Sequence, residues 1–212
     1  MTEEIIQGTD AWRQVRVGKV TASRISDVVA KTKSGPSASR ANYMAELIAE
    51  RLTGEPSEKF TNTAMQWGTE KEPEARSSYE FYRNVTVKEV GFIHHPKIDA
   101  SGASPDGLVG DDGLVEIKCP NTATHLETLL GQMVPSKYVN QMQWQMACSG
   151  RQWCDFVSFD PRLPEAMRLF IKRMPRDDKR IAELETEVAG FLLEIAVKLS
   201  ELNSLYGIEE AA

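Results

Sequence analysis

Two short stretches in the middle of the chain carry residue types that can gather a divalent cation. Ser104-Pro105-Asp106-Gly107 sets a carboxylate in a Pro-Asp-Gly turn, and Leu114-Val115-Glu116-Ile117-Lys118-Cys119-Pro120 follows as a strand. Residues two apart on a strand share a face, so Glu116 and Lys118 point one way while Val115, Ile117 and Cys119 point toward a core. Two acids in an apolar setting repel and hold each other's protons unless a cation intervenes. A hard ion with oxygen ligands, Mg²⁺ or Mn²⁺, relieves that repulsion. Lys118 on the same face orients or helps deprotonate a water, or offsets charge on a phosphate. By spacing alone, a plain loop turn and a solvated strand edge account for the same residues.

The elements that position these groups belong to a chain of 212 residues, enough for one well-buried domain and short for two. Hydrophobic residues at 41%, charged residues at 26% and a mean hydropathy of -0.37 exclude collagen-like, low-complexity and wholly disordered chains. No apolar run approaches the ~18 residues of a membrane span, and the first ten residues are acidic where a secretory signal is basic. The three cysteines (Cys119, Cys148, Cys154) lack CxxC spacing, so neither a disulfide framework nor a zinc knuckle is expected. The expected home is a reducing cytoplasm. The net charge of -6 argues against indiscriminate coating of nucleic acid. Yet Arg13, Arg16, Lys19, Arg24, Lys31, Lys33 and Arg40 face only Asp27 between positions 12 and 40. That strip either holds a polyanion beside an acidic body or is a solvated face.

Apolar periodicity predicts helices over 21–31, 41–52 and 64–83, the last with Pro73 starting it or kinking it at Glu72. Residues 31–39 read as a mobile loop. Short Val- and Ile-rich runs at 85–90, 91–95, 107–109 and 113–119 predict antiparallel strands. A helix over 138–148, strands over 152–159 and 169–174, and a long helix over 177–206 complete the chain. The expectation is an α+β fold, a central mixed β-sheet flanked by helices with a long C-terminal helix. It forms one domain over 1–212, with a core at about 10–176.

The Asp106, Glu116 and Lys118 spacing is that of PD-(D/E)XK nucleases, and the surrounding text resembles the phage lambda exonuclease family of viral recombination exonucleases. The likeness runs in order through Ala11-Trp12, Arg16-Val17-Gly18, Thr21-Ala22-Ser23, Trp67-Gly68 with Glu72, Ser104-Pro105-Asp106-Gly107, Glu116-Ile117-Lys118-Cys119-Pro120, and Tyr138 with Gln141 and Gln143. It covers about residues 10–162 and fades in the closing helix. The resemblance implies that Asp106, Glu116 and the Ile117 carbonyl hold Mg²⁺, with Mn²⁺ as a substitute. It implies that Lys118 positions the attacking water, that Glu72 orients water at the ion or a second ion, and that Gln141 contacts the site waters or the DNA backbone. Arg16, Ser23 and Ser104 would form a pocket for a DNA 5′-phosphate, in keeping with the basic strip beginning there.

The activity implied is 5′→3′ digestion of one strand at double-stranded DNA ends, leaving 3′ single-stranded tails. The implied assembly is a homotrimeric ring working beside a single-strand annealing protein, in a bacterial host cell and of phage or prophage origin. A restriction-type endonuclease would need a base-reading element, and none is evident. A RecB-like nuclease with an iron-sulfur cluster needs four cysteines. A non-catalytic DNA-end-binding module is the remaining alternative, and the intact Asp106, Glu116 and Lys118 argue against it. His94 and His95 point to opposite faces of a strand and so cannot share an ion. His125 reads as a surface histidine that could touch DNA, and Trp67, Trp144 and Trp153 read as core.

Overall fold

A computed structural model describes residues 5–33, 35–57 and 63–207. The chain opens with α1 (Asp10–Val15), β1 (Val20–Thr21), a 3-10 turn (Ala22–Arg24) running into α2 (Ile25–Val28), a hairpin of β2 (Lys31–Thr32) and β3 (Gly35–Pro36), and α3 (Ala38–Thr53). After α4 (Thr63–Arg83) come β4 (Val87–Lys88), β5 (Ile93–His94), β6 (Ser101–Ala103), β7 (Gly107–Val109) and β8 (Gly113–Lys118). α5 (Thr122–Gly131), α6 (Ser136–Ser149), β9 (Trp153–Phe159), β10 (Leu169–Pro175) and α7 (Asp178–Tyr206) complete it. This is the α+β architecture expected, with its long C-terminal helix.

The strands divide into two mixed sheets where one was expected. A five-stranded sheet runs β10-β9-β8-β7-β4, parallel only between β8 and β9, and a three-stranded sheet runs β1-β6-β5, parallel between β1 and β6. The division follows from β6, which turns away from β7 to pair with the N-terminal β1 at Val20↔Ser101 and Thr21↔Gly102. A side chain at position 102 would sit 2.3 Å from the Phe92 ring, so glycine is what lets the strands approach.

β8 is the strand that matters most. Val115 and Ile117 face α4 with Ala75, Tyr79, Val157 and Phe159. Leu114 faces α6 with Met142, Met146 and Phe156. Covered on both faces, the strand is apolar along its length except for the buried Glu116 and for Lys118 at its end. Gly113 is required where Trp153 crosses, since a Cβ there would lie 2.1 Å from the indole. α4 is fixed on the sheet by the Tyr79 hydroxyl, which donates to Asp155 Oδ2 at 2.9 Å, while the Arg173 guanidinium grips both oxygens of Asp155 at 2.8 and 2.9 Å. α2, α3, α6 and α7 enclose a further core around Tyr43, Leu47, Trp144, Leu184 and Phe191.

Several local expectations need correction. The first predicted helix stops at Val28, and Lys31–Thr32 and Gly35–Pro36 pair as short antiparallel strands where a loop was expected. α4 begins ahead of Pro73 at Thr63, so the proline does not start it. α1 has no buried residue, so it carries no amphipathic signal, although Thr9 caps it. α5 is hidden by its threonines, poor helix formers, and is started by Asn121, whose side chain accepts the Thr124 N–H at 2.9 Å.

The exit from β8 is pinned by Asp160 at the end of β9. Its buried carboxylate accepts from Thr122 Oγ1 at 2.7 Å and from the Arg162 backbone N–H and guanidinium. Arg162 in turn donates to the Pro120 carbonyl and lies 4.4 Å from the Trp67 ring centre. Burial pushes the Asp160 carboxyl up, but the bonds from Arg162 and Thr122 win and bring it down to about 2. A depressed carboxyl stabilises the fold above its unfolded value of about 4, and that contribution is lost as pH falls from there through about 2. Asp160→Asn is therefore expected to cost ~1.5–3 kcal/mol at pH 7, with the gap to wild type closing between pH 4 and 2, in urea unfolding across pH.

Candidate active site

The β7–β8 hairpin builds the centre. Gly107 pairs with Val115, which brings Asp106 beside β8, and Asp106 Oδ2 accepts the Ile117 N–H at 2.6 Å. Glu116 is fully buried and polar groups reach both its oxygens. Gln141 Nε2 donates to Oε1 at 2.6 Å, Gln145 Nε2 donates to Oε2 at 2.5 Å, and the Lys118 ammonium forms an ion pair with Oε1. α6 supplies these amides from one stripe: Tyr138, Gln141 and Gln145 recur at helical spacing. The Tyr138 ring stacks on Phe156 at 5.4 Å and lies 5.4 Å from the Lys118 ammonium.

The electrostatics follow from burial. Asp106 is held well above the usual carboxylate range, first by desolvation and then by Glu116; Lys118 and the Ile117 N–H oppose this. Burial pulls the Lys118 ammonium down, but Glu116 and Asp106 outweigh it and leave it above its ordinary value, a bound cation rather than a base. Glu72 on α4 is raised by burial, against Arg76 and Lys118. Its direct contact is Arg76 Nη2 at 2.6 Å, and the other arm of Arg76 reaches Glu89 at 2.5 Å. Glu72 thus feels Glu116 and Lys118 through space. Cys119 is pushed up to about 12 by burial and the neighbouring acids, so its thiol stays protonated.

Among the described residues, no group of three or more His, Cys, Asp and Glu side chains forms a ready-made ion cage. The expected donor set is different, two carboxylates and the Ile117 carbonyl. All are oxygens, and the crowding that lifts Asp106 is the strain a hard divalent ion relieves, so the residues present fit such an ion.

The basic strip is mostly spent on internal pairs. Arg13 binds Asp10, Arg24 binds Asp27 and Glu46, Lys31 binds Glu187, and Arg40 binds Glu194. Arg16 differs: its Nη1 donates to Ser104 Oγ at 3.2 Å and its guanidinium lies over Trp12 at 4.1 Å. Trp12 Nε1 donates to the same Ser104 oxygen at 2.9 Å. Ser23 stands two residues past Thr21, as Ser104 stands two past its register partner Gly102, so the β1–β6 ladder brings both serines to one end. Ser23 is exposed and lies 3.4 Å from Thr21 Oγ1. A cavity of about 420 Å³ opens beside Arg16, lined also by Trp12, Lys19, Arg24 and Tyr43.

The structure brings Asp106, Glu116, Ile117, Lys118 and Gln141 into one cluster and Arg16 and Ser104 into direct contact. Gln143 faces elsewhere: it donates to the Pro175 carbonyl and accepts the Asp177 N–H at the start of α7. His125 is not a surface residue but fully buried, its Nε2 donating to the Met167 carbonyl and its Nδ1 accepting from Ser158. His94 is exposed and His95 buried, as strand alternation requires. Sequence reasoning missed Gln145, whose one signal was its spacing of four from Gln141, and gave Trp12 no role.

Asp106 in the turn before β7, Glu116 and Lys118 on β8, and Arg16 held by Ser104 beside that turn are the arrangement that the sequence resemblance leads one to expect of a nuclease. The family model of the YqaJ-like viral recombinase domain matches residues 11–152, and the chain belongs to that family. A crystal structure of LHK-Exo, an alkaline exonuclease from Laribacter hongkongensis, matches with a TM-score of 0.88 at 55% identity, over 94% of this chain and 98% of that one. A structure of LHK-Exo in complex with dAMP matches with a TM-score of 0.89 at the same identity and coverage. A phage related exonuclease from Haemophilus somnus 129PT shares the fold, with a TM-score of 0.70 at 17% identity over 87% of this chain and 96% of that one. No curated protein matches the chain.

Because the raised Asp106 carboxyl makes the native state hold a proton that the unfolded chain releases, stability falls as pH rises from about 4 through its folded value. Asp106→Asn removes that loss while keeping an oxygen for the Ile117 N–H. In EDTA at pH 8 it should melt at least ~2 °C above wild type, and the gain should shrink at pH 5.

Proposed function

We propose that this protein is a divalent-cation-dependent 5′→3′ exonuclease that digests one strand at double-stranded DNA ends and leaves 3′ single-stranded tails for strand annealing. One observation carries the reading. Ser104, the residue that holds Arg16, lies two positions before Asp106, so a site suited to a terminal phosphate adjoins the acidic pair.

Mg²⁺, or Mn²⁺ in its place, held by Asp106, Glu116 and the Ile117 carbonyl, would supply Lewis-acid neutralisation of the scissile phosphate and a more acidic water. Arg16, Ser23 and Ser104 bind the 5′-phosphate of the terminal nucleotide and set the next phosphodiester against the acidic pair. Lys118 donates toward the attacking water or the phosphate oxygen that gains charge. Gln141 holds Glu116, and Glu72 supplies a further acceptor for water. Water adds to phosphorus and the terminal nucleotide's O3′ leaves with a proton, giving a nucleoside 5′-monophosphate. The shortened strand again ends in a 5′-phosphate, so each product end is a new substrate. The dAMP in the LHK-Exo complex is a molecule of that product class.

A homotrimeric ring around the duplex, a single-strand annealing protein as partner, and a bacterial cytoplasm as setting complete the proposal, on the strength of the family resemblance. Among the described residues no helix is long and apolar enough to cross a membrane.

With Mg²⁺ the protein should degrade linear duplex and spare a covalently closed circle; cutting of the circle would overturn the reading. Lys118→Ala should lower single-turnover cleavage by about 10²-fold with end binding retained, and Lys118→Arg should not restore it, since a planar fork does not replace a compact ammonium. Arg16→Ala should slow digestion of 5′-phosphorylated ends by roughly 10- to 150-fold, the worth of a charge-assisted contact of ~1.5–3 kcal/mol, and act weakly on 5′-hydroxyl ends. Equal slowing on both ends would assign Arg16 to general backbone attraction.

A further inference from the structure

We infer that Gln145 is a positioning residue for this hydrolysis, fixing the plane of the Glu116 carboxylate through its second oxygen; the inference rests on the function proposed above. Lys118 and Gln141 both meet Glu116 at Oε1. Two contacts on one oxygen hold a point and leave the carboxylate free to pivot about it. Among the described residues Gln145 alone donates to Oε2, at 2.5 Å, and turns the pivot into a fixed plane.

The cost of that contact is visible. Gln145 is fully buried, and its own Oε1 has no hydrogen-bond partner. The amide cannot turn over to satisfy it, because its oxygen would then face the Glu116 oxygen. A buried acceptor left without a donor is unfavourable, and an apolar side chain of the same length would avoid it. Along α6 the buried Met142 and Met146 are such residues, and the other buried glutamine, Gln143, has partners for both its nitrogen and its oxygen. The glutamine therefore serves the carboxylate and not the core.

A carboxylate that ligates an ion must present the same oxygen in the same direction at each turnover. Groups that hold ligands in this way are worth about 10- to 100-fold in ion affinity or activity. Gln145 reaches neither the substrate nor the ion in this scheme; it acts through Glu116.

The test compares wild type with Gln145→Met, which keeps length and loses the amide, and with Gln145→Leu should the first fail to fold. Mn²⁺ binding to the DNA-free protein is followed by calorimetry, single-turnover cleavage of 5′-phosphorylated duplex is followed against Mg²⁺ concentration, and melting is followed in EDTA. The expected result is a loss of Mn²⁺ affinity and a rise in half-saturating Mg²⁺ of about 10- to 100-fold. DNA-end affinity should stay within about twofold, and melting should be unchanged or higher because the unpartnered oxygen is gone. Mn²⁺ affinity and cleavage both within about twofold of wild type would overturn the inference, as would a lower melting point with full activity per folded molecule, the mark of a packing role. A wild type that binds Mn²⁺ but leaves linear duplex intact would overturn the function proposed above, while the calorimetric comparison would still decide the place of Gln145.

Discussion

Everything around the site answers to one constraint, a carboxylate buried in the middle of a strand that is covered on both faces. Glu116 sits where β8 is parallel to β9 and packed between α4 and α6, a position that otherwise takes Val, Ile or Leu. An ionised group there needs partners on both oxygens. Gln141 and Gln145 of α6 and Lys118 meet that need, which dictates how α6 is rotated and why Gln145 stands among its buried apolar residues. The Asp106 turn is then drawn to β8 through the Ile117 N–H, where burial and the neighbouring Glu116 raise its carboxyl.

Much of this was legible in the sequence because it is local. The alternation over Val115, Glu116, Ile117 and Lys118, the turn at Asp106 and the three long helices α3, α4 and α7 all announce themselves by period or by turn chemistry. What was hidden depends on partners far along the chain. β6 is three small residues, Ser101, Gly102 and Ala103, with no strand signature of its own, and it exists because β1 and β5 flank it. His125 follows the acidic strand at a distance suited to a contact residue, but the α5 it stands on turns it inward to Ser158. Gln145 looked like one of several core positions on a Met-rich helix.

The charge pattern needed the structure most. A strip with seven basic residues against one acid suggested a broad anion-binding face. Four of the seven are matched by carboxylates, and two of those pairs, Lys31–Glu187 and Arg40–Glu194, fasten β2 and α3 to the C-terminal helix. Arg16 differs from these four, because its hydrogen bond goes to the neutral Ser104 oxygen.

The ladder between β1 and β6 has a consequence for how the protein comes into being. It is two residue pairs long and joins segments 81 positions apart, and the Arg16–Ser104 contact spans 88. The β7–β8 hairpin, by contrast, closes a loop between Gly107 and Val115. Loop-closure entropy favours the short connection first, so the acidic hairpin can form before the Arg16–Ser104 contact is in place. An incompletely folded chain then holds the acidic hairpin without its arginine, and the two come together only when the last long-range pairing closes.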